Sequence, residues 1–310
     1  MNASITQLSA ILHRRLCSAS LAAGAALILG SATALAQQPA PRATQPAPRV
    51  TPAAPPAQPG VRAGGAAVDL AQTPAPSPFT QPAPIDFEDH AGYVSLFDGK
   101  TLAGWDGNPR FWRVENGAIV GESTLTNRAG ITYLVYRDIE AKDLTLKLEI
   151  KIEGTGSSGI QYRSKTGQAL GPRAAANGVN SDWVMVGPQA DLRANPEYTG
   201  GFFAQGTGMG YIAWLGQAVI QSKPDDKRLM GVIGNPIGLA SFVKESDWNQ
   251  YVIIARGGTC LHIVNGQVMA VLFDDDPNSR LNQSGLIGIQ IEPPPPLKVS
   301  LRNIWLKKFN

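Results

Sequence analysis

The chain is poor in the residues that build most metal and redox centres. It holds two cysteines and three histidines in 310 residues, and loss of an N-terminal leader would leave only Cys260, His90 and His262. One cysteine cannot close an internal disulfide, and Cys260, followed by Leu261 and Ile263, reads as a small buried hydrophobe on a strand. One cysteine with two scattered histidines makes no zinc site. Charge is scarce where a nucleic acid would need it. Residues 1–84 carry five arginines against one aspartate, which leaves 22 basic and 23 acidic side chains for the remainder. The net +3 therefore belongs to the N-terminal segment, and a near-neutral remainder excludes nucleic acid, which requires a concentrated basic surface. Long stretches with helical spacing of apolar residues are also missing, and so is a strongly apolar run of the ~20 residues that a membrane span takes.

What is present divides into three parts. His13, Arg14 and Arg15 precede a small-residue apolar run beginning at Leu16, and Ala34-Leu35-Ala36 supplies a cleavage site. Residues 1–36 are thus expected to be a signal peptide, giving a periplasmic or secreted protein with no stable membrane insertion. Residues 37–84 hold 13 of the 24 prolines, mixed with Ala, Gln and Thr, the composition of a disordered linker that cannot bury enough apolar surface to fold. Residues 85–310 are long enough for one domain with a large core.

That domain alternates apolar and polar residues over strand-length runs: Leu144 to Ile152, Ser158 to Arg163, Gln189 to Leu192, Leu261 to Val264, Gly288 to Ile291 and Leu301 to Ile304. Asp98-Gly99, Asn116-Gly117 and Asn265-Gly266 are expected as hairpin turns. The fold class is therefore all-β, an antiparallel β-sandwich. Two segments, 164–183 and the glycine-bearing stretch from Gln205 to Leu239, read as irregular and functional. Sorted by face, Leu146, Leu148, Ile160, Tyr162, Ile287 and Ile289 point inward. If their strands share one sheet, Glu149, Gln161, Arg163, Gln189, Asp191, Gln290 and Arg302 line one outward groove, supplying the amide, carboxylate and guanidinium groups that a polyhydroxylated ligand needs. His262 titrates near neutrality and could act as a base, or be a structural imidazole. Trp183 and Trp214 border the irregular segments, where an indole face could stack on a sugar ring, although hydrophobic packing is the ordinary use of a tryptophan.

The order of several blocks resembles one family. The run Tyr93-Val94-Ser95-Leu96-Phe97-Asp98-Gly99-Lys100-Thr101-Leu102-Ala103-Gly104-Trp105, then Trp112 to Val120, the Ser-Gly-Ile-x-Tyr-Arg element ending at Arg163, Gln189-Ala190-Asp191, Tyr198-Thr199-Gly200-Gly201 and Arg302-Asn303-Ile304 are similar to the 3-keto-disaccharide hydrolase domain family over roughly residues 91–310. The resemblance implies a concanavalin A-like jelly roll and a carbohydrate partner. It also implies a chemistry: a ketone at sugar C3 acidifies the C2 hydrogen, a base removes it, and the C1 substituent leaves by elimination before water adds. The resemblance places the counterpart of Arg163 at the active groove, where it would stabilise the enolate with Asp191 or His262 as base, and Glu149, Gln161, Gln189, Gln290, Arg302 and Trp183 would bind substrate. This sequence departs from the family where Phe202 to Gly210 replaces charged residues, and where Glu292 and four prolines stand in place of a histidine. The expected function is an exported 3-keto-glycoside hydrolase or lyase, the alternative a non-catalytic carbohydrate-binding module on a flexible stalk. No cofactor is expected. Asp274-Asp275-Asp276 is the one acidic run with the oxygen ligands calcium takes, and its setting reads as a solvated turn.

Overall fold

The structure, a computed structural model, describes residues 85–168 and 181–309. The expected signal peptide (1–36) and linker (37–84) lie outside the described residues, as does the middle of the 164–183 segment. Among the described residues seventeen strands, numbered in chain order, form two sheets. The larger runs β12 (Asp226–Val232), β11 (Gln217–Lys223), β15 (Gln267–Asp274), β14 (Thr259–Val264), β13 (Asn249–Arg256), β6 (Asp143–Gly154), β17 (Leu297–Phe309), β4 (Ala118–Ser123), β3 (Trp112–Glu115), with β1 (Val94–Ser95) also paired to β17. The smaller runs β10 (Gly210–Ala213), β9 (Phe202–Gln205), β8 (Gly187–Arg193), β7 (Ser157–Ser164), β16 (Gly285–Ile291), β5 (Thr132–Ala141), β2 (Trp105–Asp106). Pairing is antiparallel except between β11 and β15.

Alternation predicts the core well. Leu146, Leu148, Ile160, Tyr162, Ile287 and Ile289 are all buried in one apolar cluster between the sheets. Two turns form as expected: Asn116-Gly117 joins β3 to β4 and Asn265-Gly266 joins β14 to β15, each with two positive φ values, the signature of the mirror-image hairpin turn. Asp98-Gly99 differs. It closes no hairpin; Asp98 instead accepts bonds from the Lys100 and Thr101 backbone N–H groups and the Thr101 hydroxyl, capping an isolated loop. The stretch from Gln205 to Leu239, expected as irregular, forms β10, β11 and β12 and then a short helix α1 (Pro236–Ala240), because Gly206, Gly208 and Gly216 fall at turns that leave short strands between them.

The decisive departure is a corner. β6 and β7 follow each other in sequence but lie in opposite sheets, as do β16 and β17. The chain changes sheet at Gly154–Gly156, which packs on the corner Glu292–Pro296: Thr155 N–H donates to Pro296 O at 2.8 Å, and Ser157 and Glu292 exchange backbone bonds at 3.3 and 3.0 Å. A Cβ at Gly154 would strike the Pro296 carbonyl, so only glycine fits where the two corners meet.

Candidate functional site

That corner divides the expected groove between two surfaces. On the outer face of the smaller sheet, cross-strand neighbours from β7, β8, β16 and β5 form a hydrogen-bonded ladder. Ser164 donates to Gln161 Oε1 (2.6 Å), Gln161 Nε2 to Gln189 Oε1 (2.7 Å), Gln189 Nε2 to Gln290 Oε1 (2.9 Å), and Gln290 Nε2 to the Tyr133 hydroxyl (2.8 Å). All five are buried rather than solvated. Gly159 makes this possible: a Cβ there would collide with the Gln189 amide, so the missing side chain is filled by glutamine. Met185 fills the equivalent gap above Gly288 and packs with Tyr133 and Val135, covering this end of the face.

Asp191 follows Gln189 by two residues on the same face, opposite Gly159. It is 2 % exposed. Its Oδ2 accepts from Arg193 Nε at 3.1 Å and from the Tyr211 hydroxyl. Burial raises the Asp191 carboxyl above the ordinary aspartate range, against the opposing pull of Arg193 and the Tyr211 bond. The Tyr211 phenol is raised in turn, by burial first and then by the charge on Asp191. Glu292, at the sheet-crossing corner beside Ser157, is also raised, by burial and then by Asp191. Beyond Tyr211 the face opens to solvent. Trp214, 44 % exposed, stacks on Tyr211 with centroids 3.8 Å apart, Tyr198 meets Trp214 edge-on at 6.1 Å, and the Arg193 guanidinium lies 4.7 Å over the Tyr198 ring.

Of the nine expected site residues, then, Gln161, Gln189, Gln290 and Asp191 come together on one face. Five do not. Glu149 and Arg302 pair with each other on the outer face of the larger sheet, Arg302 Nε donating to Glu149 Oε2 at 2.8 Å and its guanidinium lying 4.1 Å over Trp248. Arg163 is 1 % exposed and points into the sandwich, where its guanidinium donates to the Lys142 carbonyl, to Asp143 (3.1 Å) and to the Cys260 sulfur (3.7 Å). Its φ of +52° breaks the alternation that places Gln161 outward, and it sits against Gly285, which has no side chain to block the turn. His262 is wholly buried: its Nε2 is 2.9 Å from the Tyr162 hydroxyl, its Nδ1 3.2 Å from Gly200 O, and its ring stacks on Phe202. Burial pushes its pKa down to about 4, so the ring is neutral, and it is packed in the interior between Tyr162 and Phe202 rather than on the outer face that carries Asp191. Trp183 stands at the far edge of the smaller sheet, donating from Nε1 to Asp106 at 3.0 Å, with Arg137 on the other oxygen of that carboxylate.

Sequence reasoning overlooked Arg193, Tyr211 and Tyr133. Arg193 was readable, because Asp191-Leu192-Arg193 alternates about a buried leucine. Tyr211 lies in a glycine-bearing stretch and Tyr133 in a strand buried on both faces, so neither stood out by period. Among the described residues no group of three His, Cys, Asp or Glu side chains could hold a metal ion. Asp274 is instead bonded within its own turn by Ser279 and by the Asp276 backbone. No helix among the described residues is long and apolar enough to cross a membrane.

Residues 92–307 match the family described as the 3-keto-alpha-glucoside-1,2-lyase-like domain, and the chain belongs to that family. Solved structures similar to this chain include a candidate glycosyl hydrolase from Parabacteroides distasonis, 19 % identical over 71 % of this chain and 95 % of that one, with a TM-score of 0.42. The carbohydrate-binding module CBM66 from Bacillus subtilis is 12 % identical over 66 % of this chain and 96 % of that one, with a TM-score of 0.41. The β-glucanase of Bacillus licheniformis is 10 % identical over 70 % of this chain and 97 % of that one, with a TM-score of 0.38. No curated protein matches the chain significantly.

Proposed function

We propose that the domain cleaves 3-keto-glucosides by elimination across C1 and C2, with Asp191 as the base. The observation that carries this is a carboxylate held nearly dry, with its proton affinity raised, in contact with both a guanidinium and a phenol. Each neighbour matches a need of the reaction. Asp191 takes the C2 proton and the C–H electron pair becomes the enolate, whose negative O3 faces the Arg193 guanidinium. The enolate then expels the C1 oxygen as the C1–C2 double bond forms, and Tyr211 gives its hydroxyl proton to the departing oxygen. Because Tyr211 already bonds to Asp191, the proton taken from C2 can pass to the phenolate and reset the pair. Addition of water to the unsaturated 3-keto product completes hydrolysis. The glutamine ladder beside Asp191 is buried with its amides bonded to one another, which keeps the sheet next to the site rigid.

We also propose that the protein acts outside the cytoplasm, supported by the signal-peptide pattern in residues 1–36 and the proline-rich composition of 37–84; N-terminal sequencing of exported protein should start at Gln37. The catalytic test is incubation with a 3-keto-glucoside, following release of the aglycone and of the 2-hydroxyglycal ketone. The wild type should form both, and Asp191→Asn should lower turnover by about 10³-fold, within the range for removal of a general base. Binding of the sugar without conversion would instead establish the non-catalytic module.

A further inference from the structure

The aromatic patch that opens beside Asp191 does not end at Tyr211. The Trp214 ring stacked on Tyr211 also lines a separate cavity of about 350 Å³, completed by Glu197, Tyr198, Leu215, Pro236 and Ile237. This cavity joins three parts of the chain brought together by the fold: the turn that follows β8, the turn between β10 and β11 that carries Trp214 and Leu215, and the helix α1 that follows β12. Its chemistry contrasts with the ladder. One carboxylate, one phenol and the Trp214 indole N–H are the polar side-chain groups of its lining, while Leu215, Pro236 and Ile237 present hydrocarbon, and Ile237 leaves 75 % of its surface exposed. A second sugar ring needs donors and acceptors for each hydroxyl. Trp214 and Ile237 offer instead a flat ring and an aliphatic wall.

Resting on the elimination reading above, we propose that this cavity is the leaving-group subsite, and that it takes an apolar, planar aglycone rather than a second sugar. The bridge is Tyr211: its hydroxyl meets Asp191, where the C1 oxygen would be protonated, and its ring carries Trp214, so whatever leaves C1 is led along the aromatic wall into the cavity. Exposed aromatic and branched apolar surface of this kind gains most from an occupant that removes it from water.

The test compares two non-reactive glucosides that differ only in aglycone, 2-phenylethyl and ethyl, by calorimetry with the full-length protein; both aglycones are primary alcohols. The phenylethyl glucoside should bind about tenfold more tightly, the scale of one aromatic contact with its buried area. Trp214→Ala and, independently, the exposed Ile237→Ser should each erode that preference, the second being a surface change that folding tolerates. Equal affinity for the two glucosides, or a preference untouched by both variants, overturns the subsite. The 3-keto forms of the same glucosides separate the two proposals. Turnover without any aglycone preference removes the subsite and keeps the reaction, whereas a binding preference without turnover keeps the subsite and removes the reaction.

Discussion

Two arginines a few strands apart show how differently one residue type can be used. Arg163, in the interior, has its donors engaged by a carbonyl, a carboxylate and a thiol, all from the protein, and no surface for a ligand to reach. Arg193, on the outer face of the smaller sheet, is about one-third exposed and shares its guanidinium between Asp191 and the rings of Tyr198 and Tyr211. Both are paired with an aspartate at 3.1 Å. The pairing distance therefore says nothing about role; what differs is whether the remaining donors look into the protein or toward a surface. An interior arginine holds the sheets together, and a surface one beside a buried carboxylate can meet developing negative charge.

Substitution should separate them in opposite directions. Arg193→Gln should lower turnover of a 3-keto-glucoside by about 10²-fold, the cost of losing one preorganised cationic donor, while the midpoint of urea unfolding moves less than for Arg163→Ala, because the glutamine amide can still donate to the buried Asp191 and the side chain is partly solvated. Arg163→Ala should do the reverse. It leaves the Lys142 carbonyl without the guanidinium, leaves Asp143 with the Gly257 N–H but no ion pair, and opens a cavity, a loss of about 3 kcal/mol in urea unfolding, while turnover of the folded fraction stays within a few-fold of wild type. If Arg163→Ala stayed as stable as wild type and lost turnover, the two arginines would have exchanged places and the site would have to be redrawn.

The same comparison shows how much was legible beforehand. Period-two alternation identifies the core side of a strand, and it held for Leu146, Leu148, Ile160, Tyr162, Ile287 and Ile289. It also joined Gln161, Gln189, Asp191 and Gln290, because each is flanked along its strand by core residues, Ile160 and Tyr162, Ala190 and Leu192, or Ile289 and Ile291, in strands of one sheet. Alternation carries no information on which sheet a strand enters, so Glu149 and Arg302 were grouped with side chains from which the corners at Gly154–Gly156 and Glu292–Pro296 separate them. It also fails at a left-handed residue, which is why Arg163 turns inward at the end of a strand whose preceding residues obey the rule. For His262 the period was available, since Cys260, His262 and Val264 share the inward face of β14, but an imidazole invites a chemical reading that its surroundings refuse.

His262 sharpens the contrast between interior and outer face through pH. Its folded pKa of about 4 lies below the ordinary 6.5, because burial disfavours the cation. The neutral ring therefore contributes stability that is fully present above pH 6.5 and is lost as pH falls toward 4, at most about 3 kcal/mol over that window. The raised carboxyls of Asp191 and Glu292 act with the opposite sign, favouring the folded state when protonated. The difference between wild type and His262→Gln isolates the imidazole: urea unfolding at pH 7 and pH 4.5 should show wild type losing about 2–3 kcal/mol more than the variant. Parallel pH curves would mean that the ring is hydrated and reachable from solvent, which would restore it as a candidate base.

The smallest effect is expected on the opposite surface. Glu149 accepts from Arg302 Nε at 2.8 Å and from Asn303 Nδ2 at 2.6 Å, an arrangement that resembles Asp191 with its two donors. Its surroundings differ. The Arg302 side chain is 42 % exposed, and its guanidinium rests on Trp248, so its position does not depend on the carboxylate. Water and salt screen such a pair, and holding two long side chains together offsets most of what the attraction contributes. Glu149→Gln keeps the shape and both acceptor contacts while removing the charge, and should change unfolding by less than about 0.5 kcal/mol and leave turnover of a 3-keto-glucoside as it is. A tenfold fall in turnover with unchanged stability would show that substrate reaches the larger sheet as well, and that the two outer faces, which the corner glycines set apart, work on one ligand.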